Sequence, residues 1–576
     1  MSLTRRELMQ YGLTASGALL LPLQFPNKAL ADVTSASPTS PTTTLWPDFT
    51  NELTFPHVLE PYKSDDDFDY YEIVMSKGCR AFANDPTEYE FWGYNGRFPG
   101  PTIKRKACKQ VKVDFVNKLG ETNIGWTGIP SDKPEPIRAV IHNHGMPSLP
   151  QYDGFAEDYI QPDEFKTYIY PNNRSATFWY HDHQAARTMR NVGMGLAGMW
   201  ILQDDEDLNL NLPGGKYDAP LIFQTPPFTW IEADKVKNPP PSGQPYTPPT
   251  LINGVHQPLL KVDTHKYRFR LLNATADQIY TLVLVSYDPS ENKSVDESII
   301  VIGTDSGLRS SRVSTENLEF VMAERYEIII DFSQRELGSR MALVDRVGGD
   351  SKPLICFEVC EPVKDESQFE KLRTDRGVDP EIAAENHAPD KELTFAFDGI
   401  ADCSPKNQAG TTNGNLWDAN YIEASVELNT WQKWRLINNL PGPIHPIHIH
   451  LLDFQIVRRT KNDQKVDLRP YEEKSWKDVF YLGASETMDI VGYFGPHVGK
   501  YMMHCHNLRH EDCDMMTNFE VFDPTSNQLP TDPLALPALP LPSDYELKNA
   551  SYQPYSTELP LKSAREADPC KPKPKL

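Results

Sequence analysis

Tyr94-Asn95-Gly96, followed by Val111-Lys112-Val113-Asp114-Phe115-Val116-Asn117 with apolar side chains at alternate positions, is the stretch that decides the fold. The pattern returns twice: Ile252-Asn253-Gly254 leads to Tyr267, Phe269, Leu271 and Asn273, and Asn413-Gly414 leads to Trp434, Leu436 and Asn438. The Asn-Gly steps lie 158 and then 160 residues apart. Alternation with a period of two gives each strand one buried and one solvated face, as in a β-sandwich. Three copies at a domain-sized spacing predict an all-β chain of three tandem β-sandwich domains, over 32–205, 206–385 and 386–530.

The bulk properties agree. At 576 residues the chain is too long for a single core, since domains run to roughly 100–200 residues. Its 50 prolines favour turns and short strands over long helices. Asp plus Glu at 80 against Lys plus Arg at 57 leaves a formal charge of −23, which argues against nucleic acid or an anionic membrane as partner. Gln203 to Gly215, acidic and turn-rich, and Cys360 to Lys391, charged with little apolar periodicity, read as linkers. Pro239 to Pro249 reads as a proline-rich surface loop, and the proline-rich residues 531–576 as an extended tail instead of a fourth domain.

Residues 1–31 read as an export signal: Arg5-Arg6 in a basic head, an apolar stretch from Leu13 to Leu23, and Ala29-Leu30-Ala31 before Asp32. Thr4-Arg5-Arg6-Glu7-Leu8-Met9 is similar to a twin-arginine signal, with a general secretory signal as the alternative. No other segment approaches the roughly 20 apolar residues that span a bilayer. An exported protein, periplasmic or extracellular and without a membrane span, is expected. The eight cysteines form no C-x-x-C pair, so neither a zinc ribbon nor a dense disulfide scaffold is indicated.

Fifteen histidines placed at random in this length would form roughly 0.4 His-x-His pairs. There are four: His142-Asn143-His144, His181-Asp182-His183, His448-Ile449-His450 and His504-Cys505-His506. On a strand, residues two apart face the same way, so each pair aims two imidazoles together. Singly, His57, His256, His265, His387 and His497 are read as structural. The pairs are not, and a closed four-ligand zinc site leaves several of them unused.

The run His504-Cys505-His506-Asn507-Leu508-Arg509-His510-Glu511-Asp512-Cys513-Asp514-Met515 is the most informative. A copper centre for electron transfer uses two imidazoles, a thiolate and a long axial thioether. Cys505, His510 and Met515 supply three of these, and His445 is the candidate for the fourth. By strand alternation, if Cys505 faces one copper, His504 and His506 face another site, and the cysteine links the two covalently.

These motifs resemble those of multicopper oxidases, in particular bilirubin oxidases and bacterial spore-coat laccases. The likeness covers about 80 to 530 and includes Asn95-Gly96 with Pro99-Gly100-Pro101-Thr102, Asp153 to Asp158, Trp179-Tyr180-His181, Asp305-Ser306-Gly307-Leu308 and Met322-Ala323-Glu324-Arg325-Tyr326. The resemblance implies three tandem cupredoxin-like Greek-key β-sandwich domains and four copper ions. It assigns His445, Cys505, His510 and Met515 to type 1 copper, His142 and His448 to type 2, and His144, His181, His183, His450, His504 and His506 to the type 3 pair. It also implies dioxygen as acceptor, a small reducing donor (phenol, aminophenol, tetrapyrrole or metal ion), and Asp153 and Glu511 as proton relays. The middle domain, lacking all four pairs, is left with spacing the outer domains and shaping the donor's approach.

Three positions depart from the relatives. Asn143 replaces a bulky apolar residue, Pro443 stands where bilirubin oxidases carry tryptophan, and Cys513 adds a sulfur read as packed or disulfide-bonded. A metal-ion oxidase is the rival enzyme, weakly favoured by the acidic charge. A non-catalytic scaffold is the rival outside enzymes, opposed by the intact ligand set. Met189, Met194 and Met199 are read as core.

Overall fold

The structure is a computed structural model that describes residues 49–82, 88–125, 130–225, 249–288, 293–347, 350–367, 372–378, 380–383, 394–398, 410–526 and 532–548. The expected export signal, the twin-arginine motif, His387 and nearly all of the 239–249 loop lie outside these residues.

Among the described residues the strands form three pairs of larger sheets and one two-stranded ribbon, Glu121–Ile124 with Pro130–Pro136. A six-stranded and a four-stranded sheet enclose a core with Ile73, Trp92, Val113, Phe115, Phe178 and Trp200. Two seven-stranded sheets enclose Phe223, Phe269, Leu271, Ile328 and Phe357. A six-stranded and a five-stranded sheet enclose Trp434, Leu436, Phe454, Phe480 and Phe519. The alternating apolar residues of each repeat copy are therefore core residues of one sandwich.

The repeated asparagines explain why the copies fold alike. Asn95, Asn253 and Asn413 all adopt left-handed backbone, with φ of 52°, 51° and 52°, a conformation asparagine tolerates. Each side-chain oxygen accepts from a backbone N–H of a neighbouring strand, of Val74, Ile222 and Ala396 respectively. The second asparagine of each copy is a clamp. Asn117 donates to the carbonyls of Ile137 and Ile160, Asn273 to those of Gln278 and Phe320, and Asn438 to those of Pro443 and Gly483. Each also accepts from the N–H two residues on.

Several sequence expectations need correction. Asn51–Glu52 pairs in parallel with Pro258 and Leu259, and Leu53 joins the middle core. These residues therefore leave the expected 32–205 unit and cover a sheet edge that would otherwise be open. In the tail, Leu539–Pro540 adds to the first sandwich beside Glu164 and Phe165. The supposed linker at 203–215 contains a short helix, Asp205–Leu208, and buries Asp207. Finally, Arg268 and Arg270 of Lys266–Asn273 do not face solvent: both are buried, paired with Asp207, Asp218 and Glu327. That sheet face packs inside the molecule, and its charges are matched by carboxylates. Met189, Met194 and Met199 are core residues, as read.

Candidate metal centre

Four strands position the four histidine pairs, with His183, His450 and His506 each one residue beyond its strand's end. Ile141–His144 runs antiparallel to Ala176–Asp182 with His142 opposite His181, and His445–Ile449 runs antiparallel to Gly499–Cys505 with His448 opposite His504. Opposed residues of a ladder share a face, so the two ladders present their imidazoles to a common space. All eight side chains are buried.

Hydrogen bonds at the far ring nitrogens decide which nitrogens face inward. The Nδ1–H groups of His142, His181 and His448 donate to the carbonyls of Asp153, Asp182 and Asp478 at 2.5, 2.8 and 2.8 Å. His450 Nδ1 lies 2.7 Å from Asp153 Oδ2. These contacts leave Nε2 without a proton. The bare nitrogens converge: His142 Nε2 lies 3.3 Å from His448 Nε2, and His504 Nε2 lies 3.0 Å from that of His183 and 3.2 Å from that of His450. Lone pairs facing one another at such distances repel unless a cation or a proton lies between them. His144 and His181 ring atoms come together with His142 within 4.8 Å, and the rings of His144 and His181 lie 5.1 and 5.3 Å from that of His506. His144 Nδ1, His181 Nε2 and both His506 nitrogens are buried without a hydrogen-bond partner.

A second cluster stands on the other face of Gly499–Cys505. Cys505 Sγ lies 3.6 Å from His445 Nδ1 and 3.5 Å from His510 Nδ1, and the two imidazole nitrogens are 3.2 Å apart. Met515 is fully buried in the same core as Cys505, and its carbonyl accepts from the Cys505 N–H. His510 is partly exposed and gives this cluster its contact with the surface.

Burial pushes His142, His144, His181, His448 and His450 well below the usual histidine range, His183 and His510 to about 4, and His445 and His506 to about 3. The imidazoles are neutral, the form that ligates metal. Burial raises the Asp153 carboxyl to about 6, with nearby histidines working against it. Glu511 moves the other way. Its burial cost is outweighed by His504 and His183, whose Nδ1 atoms lie 3.1 and 3.7 Å from its oxygens, and it is held well below the carboxylate range. The site thus contains one carboxyl that titrates near neutrality and one kept ionised.

Two family models described as multicopper oxidase match residues 79–207 and 389–524. The laccase of Bacillus subtilis is 32% identical over 525 residues, covering 83% of this chain and 99% of that protein. The chain belongs to the multicopper oxidase family. The bilirubin oxidase of Albifimbria verrucaria is 30% identical over 82% of this chain and 81% of its own. The solved laccase of Pediococcus acidilactici superposes with a TM-score of 0.66 at 25% identity, over 82% of this chain and 94% of that one. The protein is accordingly a copper oxidoreductase that uses oxygen, built from cupredoxin-like sandwiches.

The residues of this multicopper oxidase fit copper. Two imidazoles and a thiol converge at one cluster, eight imidazoles at the other. Burial pushes the Cys505 thiol far up, so the thiolate forms only against a bound cation, which removes the proton outright. Every histidine assigned to copper from the sequence is in one of the two clusters, and His265, read as structural, is stacked on Tyr217 and paired with Asp365.

Sequence reading missed Asp478 and Trp179 as site residues. Asp478 Oδ1 accepts from His144 Nε2 at 3.1 Å, and Trp179 stacks on His181 with ring centroids 4.0 Å apart. Trp179 was visible two residues before His181. Asp478 carries no motif spacing and enters from the bend just before the strand Val479–Leu482, far along the chain. Of the departures, Pro443 offers its carbonyl to the Asn438 clamp, Cys513 is disulfide-bonded, and the buried Asn143 amide meets no hydrogen-bond partner.

Proposed function

We propose that this protein is an oxidase of the laccase and bilirubin oxidase type. It takes electrons singly from phenols, aminophenols or tetrapyrroles and delivers four, with four protons, to dioxygen to give two waters. Bound copper supplies the one-electron acceptor and the oxygen-reducing centre. Four ions are assigned: His445, Cys505, His510 and Met515 hold type 1, His142 and His448 hold type 2, and the other six paired histidines hold type 3 as the sets His183, His450, His504 and His144, His181, His506. The observation that carries the reading is Cys505, which touches His445 and His510 while its chain neighbours His504 and His506 enter the other cluster.

The chain's own groups set the course of electrons and protons. His510 meets the donor at the surface. Cys505 joins the clusters through its bonds to His504 and His506. Asp153 holds a proton on its carboxyl beside His450, where a value near the working pH suits proton transfer, and Glu511 takes the second relay position beside His504 and His183. The leader with Arg5-Arg6 supports export of the folded protein. The donor class is tested by comparing kcat/KM for a hindered phenol, bilirubin, and ferrous or manganous ions. The organic donors are expected to lead, and a preference of about a thousandfold for a metal ion overturns the assignment.

A further inference from the structure

The middle sandwich supplies none of the paired histidines, yet one of its side chains bonds a residue that contacts the cluster. Arg325, at the start of Arg325–Asp331, is fully buried. All five of its guanidinium N–H donors have acceptors: Nε donates to the Thr177 carbonyl at 3.0 Å, Nη1 to Ala323 O at 3.1 Å and Asp478 Oδ1 at 2.6 Å, and Nη2 to Asp305 O at 3.1 Å and Asp478 Oδ2 at 2.6 Å. Thr177 belongs to the strand that carries His181, and Asp478 to the third sandwich's sequence. One guanidinium therefore spans contributions from all three repeats.

Asp478 passes this placement to two histidines. Its Oδ1 accepts from His144 Nε2, and its carbonyl accepts from His448 Nδ1. The consequence at His144 is particular. Its Nε2 carries the proton and its bare Nδ1 has no hydrogen-bond partner, the reverse of His142, His181 and His448. Asp478 also lies with His144 and His448 in a group whose ligand atoms are within 4.8 Å of one another, so its carboxylate is itself close enough to compete for a metal. The Arg325 fork occupies both carboxylate oxygens. Space for the fork is kept by Gly145, next to His144: at φ +86° a Cβ there would lie 2.7 Å from Arg325 Nη2 and 2.7 Å from Asp478 Oδ2. Lys477, bonded to Asp305 and Glu324, braces the same frame.

We infer that Arg325 and Asp478 are positioning residues for the trinuclear cluster: the middle domain's guanidinium holds the Asp478 carboxylate as an acceptor for His144 instead of a ligand, so that His144 presents Nδ1 to copper. This inference rests on the copper oxidase reading above.

The test uses the copper-loaded full chain and the variants Arg325→Gln, Arg325→Lys and Asp478→Asn, with Arg268→Gln as a control for loss of a buried arginine that touches no ligand. Copper retention against a chelator, the type 2 paramagnetic resonance signal, the type 1 blue absorption and the thermal midpoint are measured together. Arg325→Gln and Asp478→Asn are expected to weaken trinuclear copper retention by about 10- to 100-fold and to change the type 2 signal, while the blue absorption stays. Arg325→Lys is expected to recover part of the retention, because lysine keeps the charge without the planar fork. Arg268→Gln is expected to lower the midpoint alone. Wild-type retention in the Arg325 and Asp478 variants overturns the inference, as does loss of blue and trinuclear signals in proportion to the midpoint. If Arg325→Gln yields no folded protein, Asp478→Asn decides by the same criteria. Failure of the oxidase reading itself shows separately, as a wild-type chain without blue absorption.

Discussion

Cys505 is a buried thiol whose ionisation burial opposes, placed against two neutral imidazoles. Such a thiol is inert without a metal and a strong ligand with one. Cys505→Ser is expected to abolish the blue absorption and donor-driven turnover together while the eight paired histidines keep their copper. Turnover that survives the substitution contradicts the electron route. Asp153 is the other residue with a distinct role, since its carboxyl bonds His450 and its carbonyl bonds His142. In Asp153→Asn, turnover at matched copper content should fall by about a hundredfold or more, the usual worth of a positioned proton donor; an unchanged kcat removes Asp153 from the relay. Cys505 was readable in the sequence because ligand chemistry writes itself into fixed spacings along one strand, whereas Asp153 was named only through the family resemblance. Asp478 and Arg325 were not assigned roles, since they act on the outward nitrogens of ligands from strands distant in sequence, and no local period marks such a contact.

The repeated device at the level of strands and turns is the asparagine clamp, used once in each sandwich. Asn273 ties the end of Lys266–Asn273 to Gln278, Phe320 and the Thr275 N–H. Asn273→Ala leaves buried carbonyls without their donor and is expected to cost about 2 kcal/mol, read as a lowered denaturant midpoint with copper signals intact. A midpoint equal to wild type contradicts the clamp. The period-two pattern revealed the core face of each of these strands, and with it the all-β class. It misassigned the other face at Arg268 and Arg270, because alternation records polarity, and a charged face can be buried against another sandwich once every charge has a carboxylate. The two extra edge strands at Asn51–Glu52 and Leu539–Pro540 were equally illegible: two residues carry no period.

Across the molecule, ion pairs join segments far apart in sequence, and their carboxylates set the response to acid. Glu135 is held down to about 2 by Arg187 and Arg190. Asp365 is held at about 2, its burial cost outweighed by Lys266 and Ser367. A carboxyl with a lower value folded than unfolded stabilises the fold when ionised. That contribution is complete above the unfolded values of 4.5 and 3.8 and is lost as pH falls towards about 2. The variant with Glu135→Gln and Asp365→Asn should therefore unfold at a lower temperature than wild type near neutrality, with the gap closing as pH falls through this window. A gap that does not change with pH contradicts the pairing.

The two clusters, joined by Cys505, are the centre of the account, and copper content measured together with the visible spectrum of the purified chain tests them most directly. Four coppers per chain and an intense blue thiolate band, bleached by a phenolic donor and restored by dioxygen, are expected. Far fewer than four coppers and no blue band would contradict it.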